Sequence, residues 1–293
     1  MKLRKPRTLI IGLGQIGYHN AEYMTRQGLP VEGYDVKNKA LRRALSANVI
    51  QRQAENFENY DYYIICVSTH DPADMKQPNF DAIMESAERL EKEGKTGALV
   101  SLESTIARGV SNKINKLLGH RLHVAHVPHR FYSEEEKDHG VKQLRVLGGC
   151  KPCCTCKALD FYAETLGIPV WPVRPVDLAE LSKIVENAHR FLQIAFAEEL
   201  KMFCDGEGLN FGDLREAVNS KWNVDVLEPR EGIGGHCLPK DTRMLLDAEK
   251  KVMPFSTLTA AVQVDRVYRK EFCKEEFLET SVSRIRSTIE INR

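Results

Sequence analysis

A short apolar run, Thr8-Leu9-Ile10-Ile11, leads straight into Gly12-Leu-Gly14-Gln15-Ile16-Gly17. The residues after it, Tyr18 to Gln27, have the composition of a helix that stops at Gly28. Val31-Glu-Gly-Tyr34-Asp35 then forms a second strand pattern that closes on an acid. A strand that turns on spaced glycines into a helix, and a next strand ending in a carboxylate, is the opening of a βαβ unit, and such units build parallel sheets. Gly12 supplies the tight turn, Gly14 lets backbone amides approach a pyrophosphate, and Gly17 lets the helix pack on the strand. Gln15 and Ile16 open that helix, where free amides and a partial positive charge suit phosphate. Asp35 is placed to accept from an adenosine ribose and to repel a 2′-phosphate, which favours NAD over NADP; Lys37 tempers the preference.

The alternation continues. Tyr62-Tyr-Ile-Ile-Cys-Val67 and Ala98-Leu-Val-Ser-Leu102 have the unbroken apolar texture of buried strands, with helical patterns at Phe80–Lys92 and Val110–Leu118. The expected fold class is α/β, a doubly wound parallel sheet of Rossmann type. Ligands of such sheets lie beyond the strand carboxyl ends. Ser68, Thr69 and His70 fall there, as do Glu103, Ser104 and Thr105, so Ser68, Thr69 and Glu103 join the cofactor-binding candidates.

From Pro175 the texture becomes helical. Asp177 to Cys204 carries apolar residues at helical spacing without a glycine or proline, long for a globular helix and suited to a domain core or a dimer seam. Lys183 and Asn187 share one face of it. Buried there, both need partners and mark a site; on the wet side they are ordinary surface residues. Helical patterns recur at Phe211–Ala217, Thr242–Lys250 and Leu258–Val267. Three segments follow: a nucleotide-binding domain over residues 1–174, a helical domain built on the long helix over 175–270, and a helical tail over 271–293.

With 293 residues, 42% apolar and 28% charged, the chain can bury real cores, and a net charge of +1 gives no field that calls for nucleic acid or an anionic membrane. The basic start MKLRKPR lacks a signal-peptide pattern and no stretch is long and apolar enough to span a bilayer, so a cytoplasmic protein is expected. Its cysteines are then expected as reduced thiols. Two groups of them stand out. Cys150-Lys-Pro-Cys153-Cys154-Thr-Cys156 concentrates soft ligands that could hold zinc or an iron–sulfur cluster. Yet it sits at a helix start with no second CxxC or histidine pair at a standard spacing, and packing thiols without a metal is the expectation. In Glu231-Gly-Ile-Gly234-Gly235-His-Cys237-Leu-Pro-Lys240-Asp241, Cys237 is either a small packed hydrophobe or a placed nucleophile.

Taken together, these motifs identify a resemblance. Gly12–Gly17, Asp35, Cys66-Val-Ser-Thr69, Glu103-Ser-Thr105-Ile-Ala-Arg-Gly109, Lys183-Ile-Val-Glu-Asn187 and Gly232–Asp241 resemble the nucleotide-sugar dehydrogenases, which oxidise UDP-glucose, UDP-N-acetylmannosamine or GDP-mannose to uronates. The likeness runs from Thr8 to about Val267. Val224-Asp-Val-Leu-Glu-Pro229 resembles the UDP-N-acetylmannosamine branch. The resemblance implies NAD as cofactor and oxidation of a primary alcohol to an acid in two hydride transfers. Cys237 is implied as the nucleophile that holds the aldehyde as a thiohemiacetal and then a thioester. Lys183 is implied in alcohol deprotonation, Asn187 in donating to the same oxygen, and Asp241 with Thr105 in positioning water. Lys240, Gly234, Gly235 and Arg130 are implied on the substrate side, and a homodimer through the long helix is expected.

Three departures qualify this. Family members carry a third domain that holds the nucleotide half of the substrate, whereas this sequence ends at Arg293; the pocket is then completed by a partner, or the substrate carries no nucleotide. At Val127-Pro-His129-Arg130-Phe131 a histidine stands where the family has the glutamate used in thioester hydrolysis, and His129 could act as the base instead. Asn223 lies where the branch has an arginine nearby. Two other readings keep the fold. One is a two-electron dehydrogenase or reductase acting on a smaller hydroxy acid or sugar phosphate; the other is a catalytically silent NAD-binding partner.

Overall fold

The computed structural model describes residues 5–131, 140–249 and 256–272. The acid-rich run Ser133–Asp138, expected as a solvated loop, and the helical tail expected beyond residue 272 lie outside the described residues. Two compact units emerge: residues up to 186 together with 243–248, and residues 187–242 together with those from 249 onward.

The first unit is a seven-stranded sheet. Its strands are β1 (Thr8–Ile11), β2 (Val31–Tyr34), β3 (Tyr62–Ile65), β4 (Leu99–Leu102), β5 (His123–His126), β6 (Arg145–Gly149) and β7 (Val170–Pro172). They lie in the order β2-β1-β3-β4-β5-β6-β7. All pairs are parallel except β5–β6. Alternate residues feed two separate cores, as the period of a strand requires. Ile10, Ile64, Leu99 and Ala125 enter one, and Leu9, Ile11, Tyr63, Ile65, Val100, Leu102 and Val124 the other. Burial on both faces is why these strands read as unbroken apolar runs.

The helices of this unit are α1 (Gln15–Arg26), α2 (Asn38–Ser46), α3 (Asp81–Glu93), α4 (Val110–Leu117) and α5 (Pro152–Leu159), the last running on into a π-helical turn at Asp160–Thr165. Chain order reverses between β1 and β3, which makes their carboxyl ends the switch point where such sheets bind ligands. The antiparallel β5–β6 pair departs from the wholly parallel expectation. It has a local consequence: α5, which leaves β6, starts beside the beginning of β5 rather than its end.

The long helix α6 spans Val176–Glu207 and is common to both units. In the first unit its start packs on β6, where a Cβ at Gly148 would lie 2.9 Å from the Ala179 side chain. The Glu180 carboxylate caps α4, accepting from the Gly109 and Ser111 amides at 2.6 and 2.7 Å. In the second unit α6 joins α7 (Phe211–Asn219), the start of α8 (Cys237–Glu249) and α9 (Ser256–Phe272). Two small cores hold it together: Phe191, Ala195, Ile233 and Ala261 in one, Ala197, Cys204, Phe211 and Val226 in the other. Asn210 caps α7 by accepting from the Asp213 amide, the side-chain cap that ends most exposed helices favourably. Every described cysteine is a free thiol, and no helix among the described residues is long and apolar enough to cross a membrane.

Candidate functional site

Each glycine after β1 answers to a different contact. Gly12 has φ +91°, and a Cβ there would lie 2.8 Å from the Cys66 carbonyl, at the end of β3. At Gly17 a Cβ would come within 1.8 Å of the Gly12 oxygen, so α1 can begin on the loop only without a side chain at that position. Gly14 is the reverse case. It caps α1 and nothing lies within 4 Å of where its Cβ would be, which leaves open space at a helix N-terminus whose first amides have no capping side chain. Asp35 ties the loop to β2: its carboxylate accepts from the Leu13 and Lys37 amides, both at 2.7 Å. Arg43, not singled out in the sequence, donates to the carbonyls of Leu13 and Gly14 and stacks on Tyr18. Thr69 donates to the Thr105 carbonyl at 2.8 Å, joining the ends of β3 and β4, while exposed Ser68 lies 2.9 Å from His70 Nδ1. The set fits a dinucleotide: tight turns where the chain approaches itself, and free amides with room beyond them.

Two expected site residues turn inward instead. Glu103 is sealed, with its Oε1 accepting from Tyr162 at 2.6 Å and its Oε2 from Asn20 at 2.6 Å and Arg145 at 2.8 Å. So enclosed, the carboxylate ties α1 and β6 together beneath β4. His129 turns inward as well. It is buried, its Nδ1 accepts from the Phe131 amide at 3.0 Å, and its Nε2 lies 3.1 Å from Asn20 Oδ1. The same Nε2 lies 2.9 Å from Arg145 Nη2, so the ring is held on both sides within the buried network. Burial, then the Arg145 charge, holds the imidazole well below its usual range. Arg130 is held by Glu186 on α6, through Nε at 3.1 Å and again through Nη2, and donates to the Leu144 carbonyl at 2.9 Å. Its fork is therefore engaged within the first unit and braces the helix segment one turn beyond Lys183.

In the second unit, the glycine-rich stretch ends sooner than its composition suggests, because α8 begins at Cys237 itself. The thiol is exposed at the first position of a helix, and Asp241 lies one turn on along the same face. Asp241 is buried and collects two donors: Asn187 Nδ2 from α6 on one oxygen, and Lys240 Nζ at 2.6 Å on the other. Asn187 and Asp241, expected at one site from separate motifs, are thus in contact. Lys183 stands one turn before Asn187 on the same helix.

The turn that presents Cys237 is strapped to α9. Gly232 and Gly235 have φ of +85° and +70°, and Ile233 between them is buried in the core. The Ile233 amide donates to Asp265 at 3.0 Å and its carbonyl accepts from Arg269 at 2.8 Å, while Tyr268 donates to the Arg230 carbonyl at 2.9 Å. Glu198 of α6 is buried near the Asp265 charge, and neither of its carboxylate oxygens has a hydrogen-bond partner of ordinary geometry among the described residues. Burial first, then the Asp265 charge, pushes Glu198 up to about 8. A folded-state value raised this far means that the group's contribution to stability is full below the ordinary carboxylate range and is lost as the pH rises through about 8. Glu198→Gln keeps a donor and cannot ionise. Its melting temperature should match the native chain near pH 5 and exceed it near pH 9, by stability on the order of 2 kcal/mol; equal slopes of melting temperature against pH would refute the raised value.

Comparison with known proteins agrees with both halves. Residues 8–125 match the NAD binding domain of 6-phosphogluconate dehydrogenase, and residues 177–266 match the UDP-glucose/GDP-mannose dehydrogenase family, central domain. The UDP-N-acetyl-D-mannosamine dehydrogenase of Methanococcus maripaludis is 28% identical over 81% of this chain, which spans 60% of that protein. The NDP-N-acetyl-D-galactosaminuronic acid dehydrogenase of Ralstonia nicotianae is 30% identical over 82% of this chain and 64% of its own length. Among solved structures, a UDP-D-ManNAc dehydrogenase from Pyrococcus horikoshii superposes with a TM-score of 0.79 at 25% identity, covering 89% of this chain and 68% of that one. An NAD-binding domain thus stands in front, and the stretch behind it matches the central domain of the UDP-glucose/GDP-mannose dehydrogenase family.

Proposed function

We propose that this chain is an NAD-dependent dehydrogenase that oxidises the primary alcohol of a UDP-linked sugar, or a close relative of one, to a carboxylate in two hydride transfers. The observation that carries the reading is the exposed Cys237 thiol on the first turn of α8, above an Asp241 that Asn187 and Lys240 hold in place. A packing cysteine would be buried; this one is presented where a helix N-terminus favours an anionic sulfur.

Gly12, Gly14, Gln15, Ile16, Gly17, Asp35, Ser68 and Thr69 would hold the dinucleotide. Bound there, NAD supplies the hydride acceptor, one hydride for each molecule. Lys183 draws the proton from the substrate alcohol and, with Asn187, steadies the oxygen as charge develops on it. The Cys237 sulfur adds to the resulting aldehyde, forming a C–S bond as the carbonyl oxygen takes a proton. Loss of a second hydride and of that proton leaves a thioester. Water, oriented by Asp241, adds to the thioester carbon; the C–S bond breaks, and the thiol regains its proton as the acid leaves. Gly234 and Gly235, which carry no side chain into the turn, leave room for substrate beside the sulfur.

Along α6, Leu178, Val185, Phe196 and Phe203 are each about half exposed. Such a stripe on a long helix supports a homodimer with α6 as its seam. Where the resemblance implies a hydrolytic carboxylate this chain has His129, and that histidine is buried. This favours a second reading, a single hydride transfer on a smaller hydroxy acid or sugar phosphate. Counting NADH formed per substrate consumed, over UDP-sugars, GDP-mannose, sugar phosphates and small hydroxy acids, separates them. Two NADH from a nucleotide sugar is expected; one NADH from a small substrate, with no nucleotide sugar turned over, overturns the proposal.

A further inference from the structure

The cysteine-rich run at the start of α5 takes no part in the chemistry above. In sequence it lacks a histidine at any standard spacing, but the sheet supplies one from β5. Ala125 of β5 pairs with Gly149 of β6 in antiparallel register, and the Cys150 amide donates to the Val124 carbonyl at 3.0 Å. As the chain runs from Gly149 toward residue 154, β5 therefore runs back toward His123. Gly149 also sets how closely α5 approaches. A Cβ there would lie 2.3 Å from the Thr155 amide and 2.8 Å from the Cys154 carbonyl carbon, so the first turn of α5 rests directly on β6 only because that position has no side chain. The result is that a ring nitrogen of His123 and the sulfurs of Cys153 and Cys154 all lie within 4.8 Å of one another.

We propose that His123, Cys153 and Cys154 form a zinc site. In a tetrahedral zinc centre with Zn–S near 2.3 Å and Zn–N near 2.0 Å, ligand atoms stand about 3.5–3.8 Å apart. The observed trio is within about 1 Å of that, which side-chain rotation supplies. One nitrogen and two sulfurs are the donor set that selects a thiophilic ion over calcium or magnesium. Burial differs across the set in the way a partly open site requires: Cys154 is buried, His123 half-buried and Cys153 exposed, leaving the fourth position to solvent. Both cysteines occupy the first turn of α5, so one short stretch of backbone presents both sulfurs. On binding, each thiol releases its proton to solvent as its sulfur bonds the ion, so two positive charges arrive and two leave. His123 opens β5, at the amino end of the parallel strands, whereas the glycine loop follows the carboxyl end of β1. The ion is therefore remote from the dinucleotide, and its work is to tie α5 to the sheet.

The full chain, reduced and stripped with a chelator, would be titrated with Zn2+ against a chromophoric competitor. Cys153→Ser, His123→Asn and Cys156→Ser would be run beside it, and Co2+ would be used as a spectroscopic probe. Because Cys153 is exposed and His123 is half-buried, both of these variants should fold, which far-UV circular dichroism checks. One equivalent of tightly bound zinc is expected, with affinity reduced at least tenfold in Cys153→Ser and in His123→Asn and unchanged in Cys156→Ser. Thiolate-to-cobalt charge transfer should weaken in Cys153→Ser, and zinc should raise the melting temperature of the native chain alone. No binding, binding indifferent to both substitutions, or binding lost in Cys156→Ser would overturn the assignment. None of these readouts needs catalysis, so they stand apart from the proposed oxidation.

Discussion

Cys237→Ser is expected to abolish acid formation from a nucleotide sugar, lowering the four-electron turnover on the order of 10³-fold or more. The size follows from what the residue does in the proposal. A hydroxyl at this position is a far weaker nucleophile than a thiolate, so the aldehyde carbon is no longer captured and the second hydride has no thiohemiacetal to leave from. Substitution of an exposed thiol by a hydroxyl of similar shape should leave folding alone; cofactor binding, which belongs to residues of the other compact unit, should also survive. The measurement is NADH per sugar together with acid formed, on the native and substituted chains side by side. Retained NAD affinity with no acid is the expected pattern. If the variant instead oxidises its best substrate at the native rate, Cys237 is a packing residue at an unusual place and the single-transfer reading takes over. Asp241→Asn gives an intermediate case. It keeps the contact with Asn187 but removes the charge that Lys240 bonds, and should slow release of acid more than loss of the first hydride.

How much of this could be read from the sequence depended on distance along the chain. The first strands and the glycine loop were legible because their signals are local. Leu9, Ile10 and Ile11 are buried on alternate faces, and Gly17 meets the Gly12 carbonyl within the same βαβ unit. The long helix was legible because its period runs unbroken from Val176 to Glu207. Far less legible were the partners of side chains that follow a strand. Glu103 follows β4 as a ligand residue would, yet its partners Asn20, Arg145 and Tyr162 come from three distant segments. No local pattern announces which way such a side chain turns. The start of α8 was placed several residues late, since glycines and a proline around Cys237 look like loop; proline is tolerated in the first turn of a helix, and the helix in fact opens at the cysteine. Asp265 and Arg269, which hold the turn bearing Cys237, sit on α9 among polar residues that look like ordinary surface. Long-range polar contacts of this kind are settled by tertiary packing, and a single sequence does not encode them visibly.

The largest structural effect is expected from one of those long-range partners. Arg145 is fully buried on β6, and its guanidinium bonds Glu103 at 2.8 Å, the Val141 carbonyl at 3.0 Å and Asn20 Oδ1 at 3.2 Å. Arg145→Met preserves much of the volume and removes the charge, stranding the Glu103 carboxylate in an apolar interior. Breaking a buried pair from one side typically costs about 3–5 kcal/mol, because the remaining charge has no water to turn to. For a unit of this size that corresponds to a melting temperature lower by about 10 °C. The loss should reach the cofactor loop as well. Asn20 lies on α1, directly behind Gly17, and it bonds Glu103 below β4, Cys66 at the end of β3, and His129. Freed from Arg145, the network that sets α1 against the sheet loosens, and the affinity for NAD should fall with stability. The double variant Arg145→Met with Glu103→Leu tests the cause. With both charges gone no ion is left buried, so most of the lost stability should return. If the double variant is as unstable as the single one, the cost came from packing around Arg145. If the single variant is within about 1 kcal/mol of the native chain, the pair does not hold the unit together. The expected outcome is recovery of stability without full recovery of NAD affinity, since leucine at position 103 cannot hold Asn20 and through it the helix on which the phosphates would rest.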